Sequence, residues 1–179
     1  GGFVEISSKE NLKRANIAGV SLNGGTLLLD PRNIYVRDSS VSGTTLTSDL
    51  TNVDQYADGG TTSYRVNSSI IESAITSGTN VILKAQRNIY VQSDIIATGS
   101  SGGDLTLNAG VDINISANIT TANGNLTLEA NNESISGRGN NRYSDIDISS
   151  TINLGTGDLN ITLGNSNTTG SYDVNLSSA

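Results

Sequence analysis

Apolar and polar residues alternate over short runs along the whole chain. The runs are Phe3 to Ile6, Leu27 to Leu29, Ile34 to Val36, Val81 to Leu83, Ile89 to Val91, Leu105 to Leu107, Ile113 to Ile115, Leu126 to Leu128, Ile146 to Ile148 and Leu159 to Leu163. A period of two over three to five residues predicts strands and is too short for helices. The runs also recur. From Val81 to Leu105 the offset is 24 residues and from Leu105 to Leu126 it is 21, each unit reading apolar-X-apolar, a few small or polar residues, then apolar-X-apolar again.

A unit this thin cannot bury its own apolar face, so units must stack, which is the mark of a solenoid. The expected fold is all-β, a right-handed parallel β-helix (β-solenoid) in a single domain over 1–179. Its handedness follows the preference of parallel crossovers. Ile34, Val36, Ile89 and Val91 are expected inside the coils, with Tyr35, Tyr90 and Asn114 in the outward positions between them. The tetrapeptide Asn-Ile-Tyr-Val, at 33–36 and again at 88–91, then records one coil position occupied twice. Glycines are expected at corners, where positive φ costs them least. Stacked Asn and Thr side chains are expected to bond along the axis, with corners at "KAQ", "NAG" and "EAN" after the first strand of a unit.

One interval breaks the period. Residues 41–79 separate the two Asn-Ile-Tyr-Val elements by more than a coil and predict an extra-helical excursion. Within it "TSYRVNSS" reads as a strand or extended edge, and a short helical turn is expected near 69–76, started by Ser69 with Glu72 three residues on and ended by "SGT". A second irregularity, 137–145, predicts a protruding loop.

Charge and composition then remove function classes. With 17 acidic and 10 basic residues the net charge is -7, and the basic residues read as scattered, so a nucleic-acid partner is not expected; Arg32 and Arg37 could meet a phosphate only locally. The chain has no histidine, cysteine or methionine, so a zinc site or a Cys-His or Ser-His-Asp arrangement cannot be assembled. No apolar run approaches a membrane span, and no basic region with an apolar segment opens the chain, so secretion is expected to be encoded upstream. No cofactor is expected. Carboxylate chemistry has one candidate set, Asp145 and Asp147 on one outward face with Arg142 near. The weak metal candidates are Asp54 and Asp58 in "NVDQYADGG", which lacks the glutamate that closes an EF-hand loop. The glycosylation candidates, among the Asn-X-Ser/Thr sequons, are Asn67, Asn114, Asn118, Asn125, Asn132, Asn160 and Asn167. Tyr35 and Tyr90 are candidates for surface contact.

Three stretches carry a resemblance. "GGFVEISSKENL" leads to "GTLLLDPRNIYV", and then comes "SIIESAITSGTNVILKAQRNIYVQSDI"; this order of G-G-x-V-E, L-L-D-P-x-N-I and G-T-N-V resembles the end of the secretion domain in two-partner secretion exoproteins of the filamentous-haemagglutinin and high-molecular-weight adhesin type. The later "GDLTLNAGVDINISANI" is similar to the repeats of their shaft. The resemblance implies a right-handed parallel β-helix, export through an outer-membrane transporter partner, a secreted or cell-surface location, and a role in attachment or in presenting a distal effector. It also implies a host glycan or protein receptor and some glycosylation at sequons. The expected function is a structural shaft segment of a large exoprotein, the chain being a fragment of it. The alternatives are a direct glycan-binding adhesin domain, marked by clustered outward aromatics, and a carbohydrate-active β-helix enzyme, marked by a groove lined with carboxylates and Arg or Lys.

Overall fold

The computed structural model describes residues 1–7, 14–16, 24–38, 52–58, 61–135, 143–164 and 171–177. Along them run β1 (Phe3–Ser7), β2 (Arg14–Asn16), β3 (Thr26–Asp30), β4 (Asn33–Val36), β5 (Asn52–Asp58), β6 (Thr61–Val66), α1 (Ser68–Thr76), β7 (Asn80–Ala85), β8 (Ile89–Val91) and β9 (Ile95–Ile96). They continue with β10 (Leu105–Ala109), β11 (Ile113–Ile115), β12 (Ile119–Thr120), β13 (Leu126–Ala130), β14 (Tyr143–Ile148), β15 (Ile152–Asn153), β16 (Leu159–Leu163) and β17 (Ser171–Leu176).

These strands form three sheets. The first is ordered β1-β3-β7-β10-β13-β16, the second β17-β14-β11-β8-β4-β6-β5-β2 and the third β15-β12-β9. From β7 onward the chain visits first, second and third sheet in rotation, and successive visits pair in parallel. Among the described residues the protein is therefore an all-β, predominantly parallel fold with one short helix. The third sheet, made of two-residue strands, has no counterpart among the predicted runs.

Register explains the core. Ile34 stands beside Ile89, which stands beside Ile113 and then Ile146, while Val36, Val91, Ile115 and Ile148 make the next row. The first sheet does the same with Leu27, Val81, Leu105, Leu126 and Leu159. Ile34, Val36, Ile89 and Val91 are all fully buried, as the alternation requires, in one apolar cluster drawn from all three sheets and the helix. Slipping any strand by one residue would turn its apolar row to solvent, so the alternation itself specifies the stacking. On β16 and β17, beyond which nothing described stacks, Leu159, Val174 and Leu176 hold the same inward positions and are 44%, 43% and 70% exposed.

The interval 41–79 departs from expectation. Residues 41–51, 59 and 60 lie outside the described residues, but β6 does not leave the stack: it pairs in parallel with β4, setting Tyr64 beside Ile34 and Val66 beside Val36. The alternation Tyr64-Arg65-Val66 matches that of the strand it joins, and Val66 is fully buried. Strand β5 folds back antiparallel on β6, and β2 joins β5 antiparallel. The helix then begins at Ser68 after Asn67, not at Ser69. No side chain of its own caps it; Asp38 accepts the Ser68 backbone N–H at 2.7 Å and the Ser68 hydroxyl at 2.7 Å. It ends where expected, with Gly78 at a φ of 76°. Ile71 and Ile75 turn into the core, and the other side covers the open edge of β9: Glu72 Oε1 accepts the Ile96 N–H at 2.9 Å and Thr76 Oγ1 accepts the Thr98 N–H at 3.1 Å. Glu72 serves the strand edge and not a capping box. Of the predicted loop 137–145, residues 137–142 lie outside the described residues, and Tyr143, Ser144 and Asp145 belong to β14.

Candidate functional site

The outward surface of the second sheet carries most of the residues that the sequence singled out. Tyr35 and Tyr90 are register partners, half-buried, with ring centroids 4.7 Å apart and planes 16° from parallel. Asn88 Nδ2 donates to the Tyr90 hydroxyl at 3.0 Å. A sugar stacks on the open face of an aromatic ring. Here each ring turns one face to the other, and the row continues with Arg65 beyond Tyr35 and Asn114 beyond Tyr90, so a neighbour stands on the second side as well. The pair is built as a cross-strand contact of the kind that stabilises sheets by about 0.5–1.5 kcal/mol beyond area burial.

Asp145 and Asp147 also sit on this surface and are both engaged. Asp145 Oδ1 accepts the Asp173 N–H at 3.2 Å and Asp147 Oδ1 accepts from Asn175 Nδ2 at 2.7 Å. Arg142, their expected companion, lies outside the described residues.

The engagement of Asp145 is one rung of a longer device. In β4, β8, β11 and β14 the residue just before the inward isoleucine (Ile34, Ile89, Ile113 and Ile146) is Asn or Asp, and its side-chain oxygen accepts the backbone N–H of the equivalent residue one pass later. Asn33 receives Asn88 at 3.2 Å, Asn88 receives Asp112 at 3.3 Å, and Asp112 receives Asp145 at 3.2 Å. The first sheet repeats it: Asn80 receives Asp104 at 2.9 Å, Asp104 receives Asn125 at 2.8 Å and Asn125 receives Asp158 at 2.8 Å. In the third sheet Asp94 receives Asn118 at 2.8 Å and Asn118 receives Thr151 at 3.0 Å. The signal was in the sequence as Asn/Asp-apolar-X-apolar, which is what Asn-Ile-Tyr-Val twice spells. At the expected corner after the first strand polar side chains also bond from pass to pass: Asn108 Nδ2 donates to Glu129 at 2.7 Å, and Lys84 faces Asp30 at 3.9 Å.

Glycines line another corner, before the first sheet. A Cβ on Gly103, Gly124 or Gly157 would lie 2.0, 2.1 or 2.2 Å from a carbonyl oxygen of the preceding pass. None of these three has a positive φ; closeness of backbones, not left-handed geometry, requires glycine there.

Electrostatics single out Asp112. Its pKa is raised, first by burial and then by the neighbouring Asp145 and Asp147 carboxylates, against the backbone N–H of Asp145 and the charge of Arg87, which lower it. A carboxylate in a stack of Asp residues one strand apart is held where its charge is disfavoured.

No protein-family model, no curated protein and no solved structure matches the chain. What the surface can do is therefore read from its own chemistry.

Among the described residues no group of three or more acidic side chains is placed to hold a metal ion, and no helix is long and apolar enough to cross a membrane. Asp54 and Asp58 belong to β5, where Asp54 is opposite Arg65 and Asp58 opposite Thr61. The sequons are placed unequally. Asn67 is fully buried and closed to modification in the folded chain, because it lies between β6 and the first residue of α1. Asn118 and Asn160 are exposed; Asn114, Asn125 and Asn132 are half-buried, and Asn132 donates its amide to Asn108 at 3.0 Å. Asn167 lies outside the described residues.

Proposed function

We propose that this chain is a segment of right-handed parallel β-helix that acts as a mechanical shaft in a large secreted bacterial exoprotein of the two-partner secretion type, holding a distal adhesive or effector part away from the cell. The observation that carries the reading is the unbroken register of first-sheet strands, β3 to β7 to β10 to β13 to β16, each stacked in parallel on the last with apolar side chains inside and a side-chain ladder outside. A stack of this kind is quasi-one-dimensional: each coil needs only its neighbours, so length is adjustable. The outward carboxylates and tyrosines engaged in rungs and stacking weigh against an enzyme site or a sugar platform.

The test is replacement. In the intact exoprotein, residues 80–164 are exchanged for an unrelated parallel β-helix with the same number of coils, and attachment of the bacteria to host cells is measured. A spacer predicts attachment unchanged and lost in proportion to shortening. Attachment abolished by the equal-length exchange, with export intact, would show that the surface itself binds.

A further inference from the structure

The basic residues are not scattered. Residues 1–87 hold eight acidic and eight basic side chains, whereas 88–179 hold nine acidic and two basic ones, so the whole net charge of -7 belongs to the second half. Sheet order converts this into a gradient across one face. In the second sheet β6, β4 and β8 lie toward one end and β14 and β17 toward the other. Arg32 and Arg87 occupy equivalent corners of successive passes, joined by the Arg87 N–H to Arg32 carbonyl bond at 2.8 Å, and Arg37 follows β4. Asp145 and Asp147 of β14 and Asp173 of β17 mark the other end. Arg32, Arg37 and Arg87 are half-exposed and form no ion pair among the described residues; Asp38, the acid next to Arg37, is committed to the first N–H of α1.

We propose that this face is a self-complementary interface through which two copies of the chain pair side by side and antiparallel. A two-fold axis near Asn114 of β11, which lies between β8 and β14 in the sheet, sets the arginine end of each copy on the aspartate end of the other. Such an isologous contact needs one patch only, complementary to itself when turned end for end. In the parallel orientation like charge meets like, which is disfavoured. The face spans roughly five strand spacings, about 24 Å, by about 17 Å along the strands. That is small for a permanent interface and suits a weak one governed by charge. The pairing does not rest on the shaft reading: a shaft that never pairs and a pairing module that is no spacer give different results in the two experiments.

Sedimentation equilibrium of the 179-residue chain tests it. Wild type is expected to self-associate at about 0.01 M salt and to lose at least about tenfold in association constant at about 1 M, where the Debye length falls from about 30 to 3 Å. Two variants leave the inner ladder rungs intact: Arg32→Glu with Arg87→Glu, and Asp147→Lys with Asp173→Lys. Each alone is expected to be monomeric with an unchanged circular-dichroism spectrum. Mixed, they are expected to form a heterodimer, since reversed charges then face each other at both ends. A wild-type chain that stays monomeric at low salt, variants that associate like wild type, or a mixture that stays monomeric overturns the proposal. An anionic polysaccharide bound by the arginine end without self-association assigns the face to that partner and overturns it too.

Discussion

Gly124→Ala separates two reasons for a glycine at a corner. Gly124 has no positive φ, so alanine suits its backbone and, by narrowing the unfolded ensemble, would by itself stabilise the fold by about 0.4–1 kcal/mol. Its Cβ, however, would lie 2.1 Å from the Gly103 carbonyl oxygen and 2.8 Å from its carbon. Relief requires the two passes to separate locally by about 1 Å, in a stack whose neighbours above and below are close-packed and bonded. Overpacking of this kind costs about 1–3 kcal/mol, and with backbone as the obstacle the upper end is expected. Gly99→Ala is the control: φ there is 107° and nothing stands within 4 Å, so it meets only backbone strain. Urea unfolding followed by circular dichroism reads both; with a slope of about 2 kcal/mol/M, a loss of about 3 kcal/mol lowers the midpoint by about 1.5 M. Gly124→Ala unfolding at the wild-type midpoint, or no earlier than Gly99→Ala, would refute the close-approach account.

Leu107→Ala, at a fully buried inward position in the middle of the first sheet, is expected to cost about 2–5 kcal/mol in the same assay. Asp112→Asn keeps the acceptor for Asp145, since Asn88 fills the same role one pass earlier, and removes a disfavoured charge. Because the folded-state pKa of Asp112 is raised, its stabilising share is complete below the unfolded pKa and is lost as pH rises through the folded one. The variant should therefore exceed wild type in stability at neutral pH and converge with it in acid, and urea midpoints measured across that range would contradict this if the gap grew toward low pH. Glu72→Ala withdraws the cover from the β9 edge, at a cost of about 0.5–1.5 kcal/mol, with amide hydrogen exchange at Ile96 faster than in wild type while Ile119 is unchanged. Equal acceleration at both amides would place the effect in global stability and not at the edge.

Legibility followed the physical origin of each feature. The inward rows were readable because burial leaves a period of two, and Ile34, Val36, Ile89 and Val91 fall where that period puts them. The third sheet was not, since two residues such as Ile95–Ile96 or Ile119–Thr120 cannot display a period. The return of β6 to the stack was hidden because "TSYRV" carries an ordinary strand pattern, while its partner β4 lies earlier in the chain and the decision between edge and neighbour is tertiary. The helix start was displaced because its cap comes from Asp38, thirty residues upstream, and a local cap search sees only Ser69 and Glu72. Of the surface, the outward pairing of Tyr35 with Tyr90 and the stacking of their rings were readable, because they follow from the same coil position occupied twice in adjacent passes.

The ladders account for a composition that otherwise looks poor for folding. Apolar stacking alone would hold the passes together and forbid slips of one residue, but a slip of two residues keeps the same face inward. An oxygen two bonds beyond Cβ, placed just before an inward apolar residue, can reach the N–H of the next pass only at the correct register, which Asn and Asp supply and Ser or Gln do not supply at the same distance. That is why Asn and Asp alternate freely at these positions, in Asn33, Asn88, Asp112 and Asp145 or in Asn80, Asp104, Asn125 and Asp158. The choice between amide and carboxylate leaves the bond unchanged and sets only the charge of the rung. Register is thus secured at no fixed charge, and the gradient from arginines to aspartates across the second sheet is left open to be set by what that face meets.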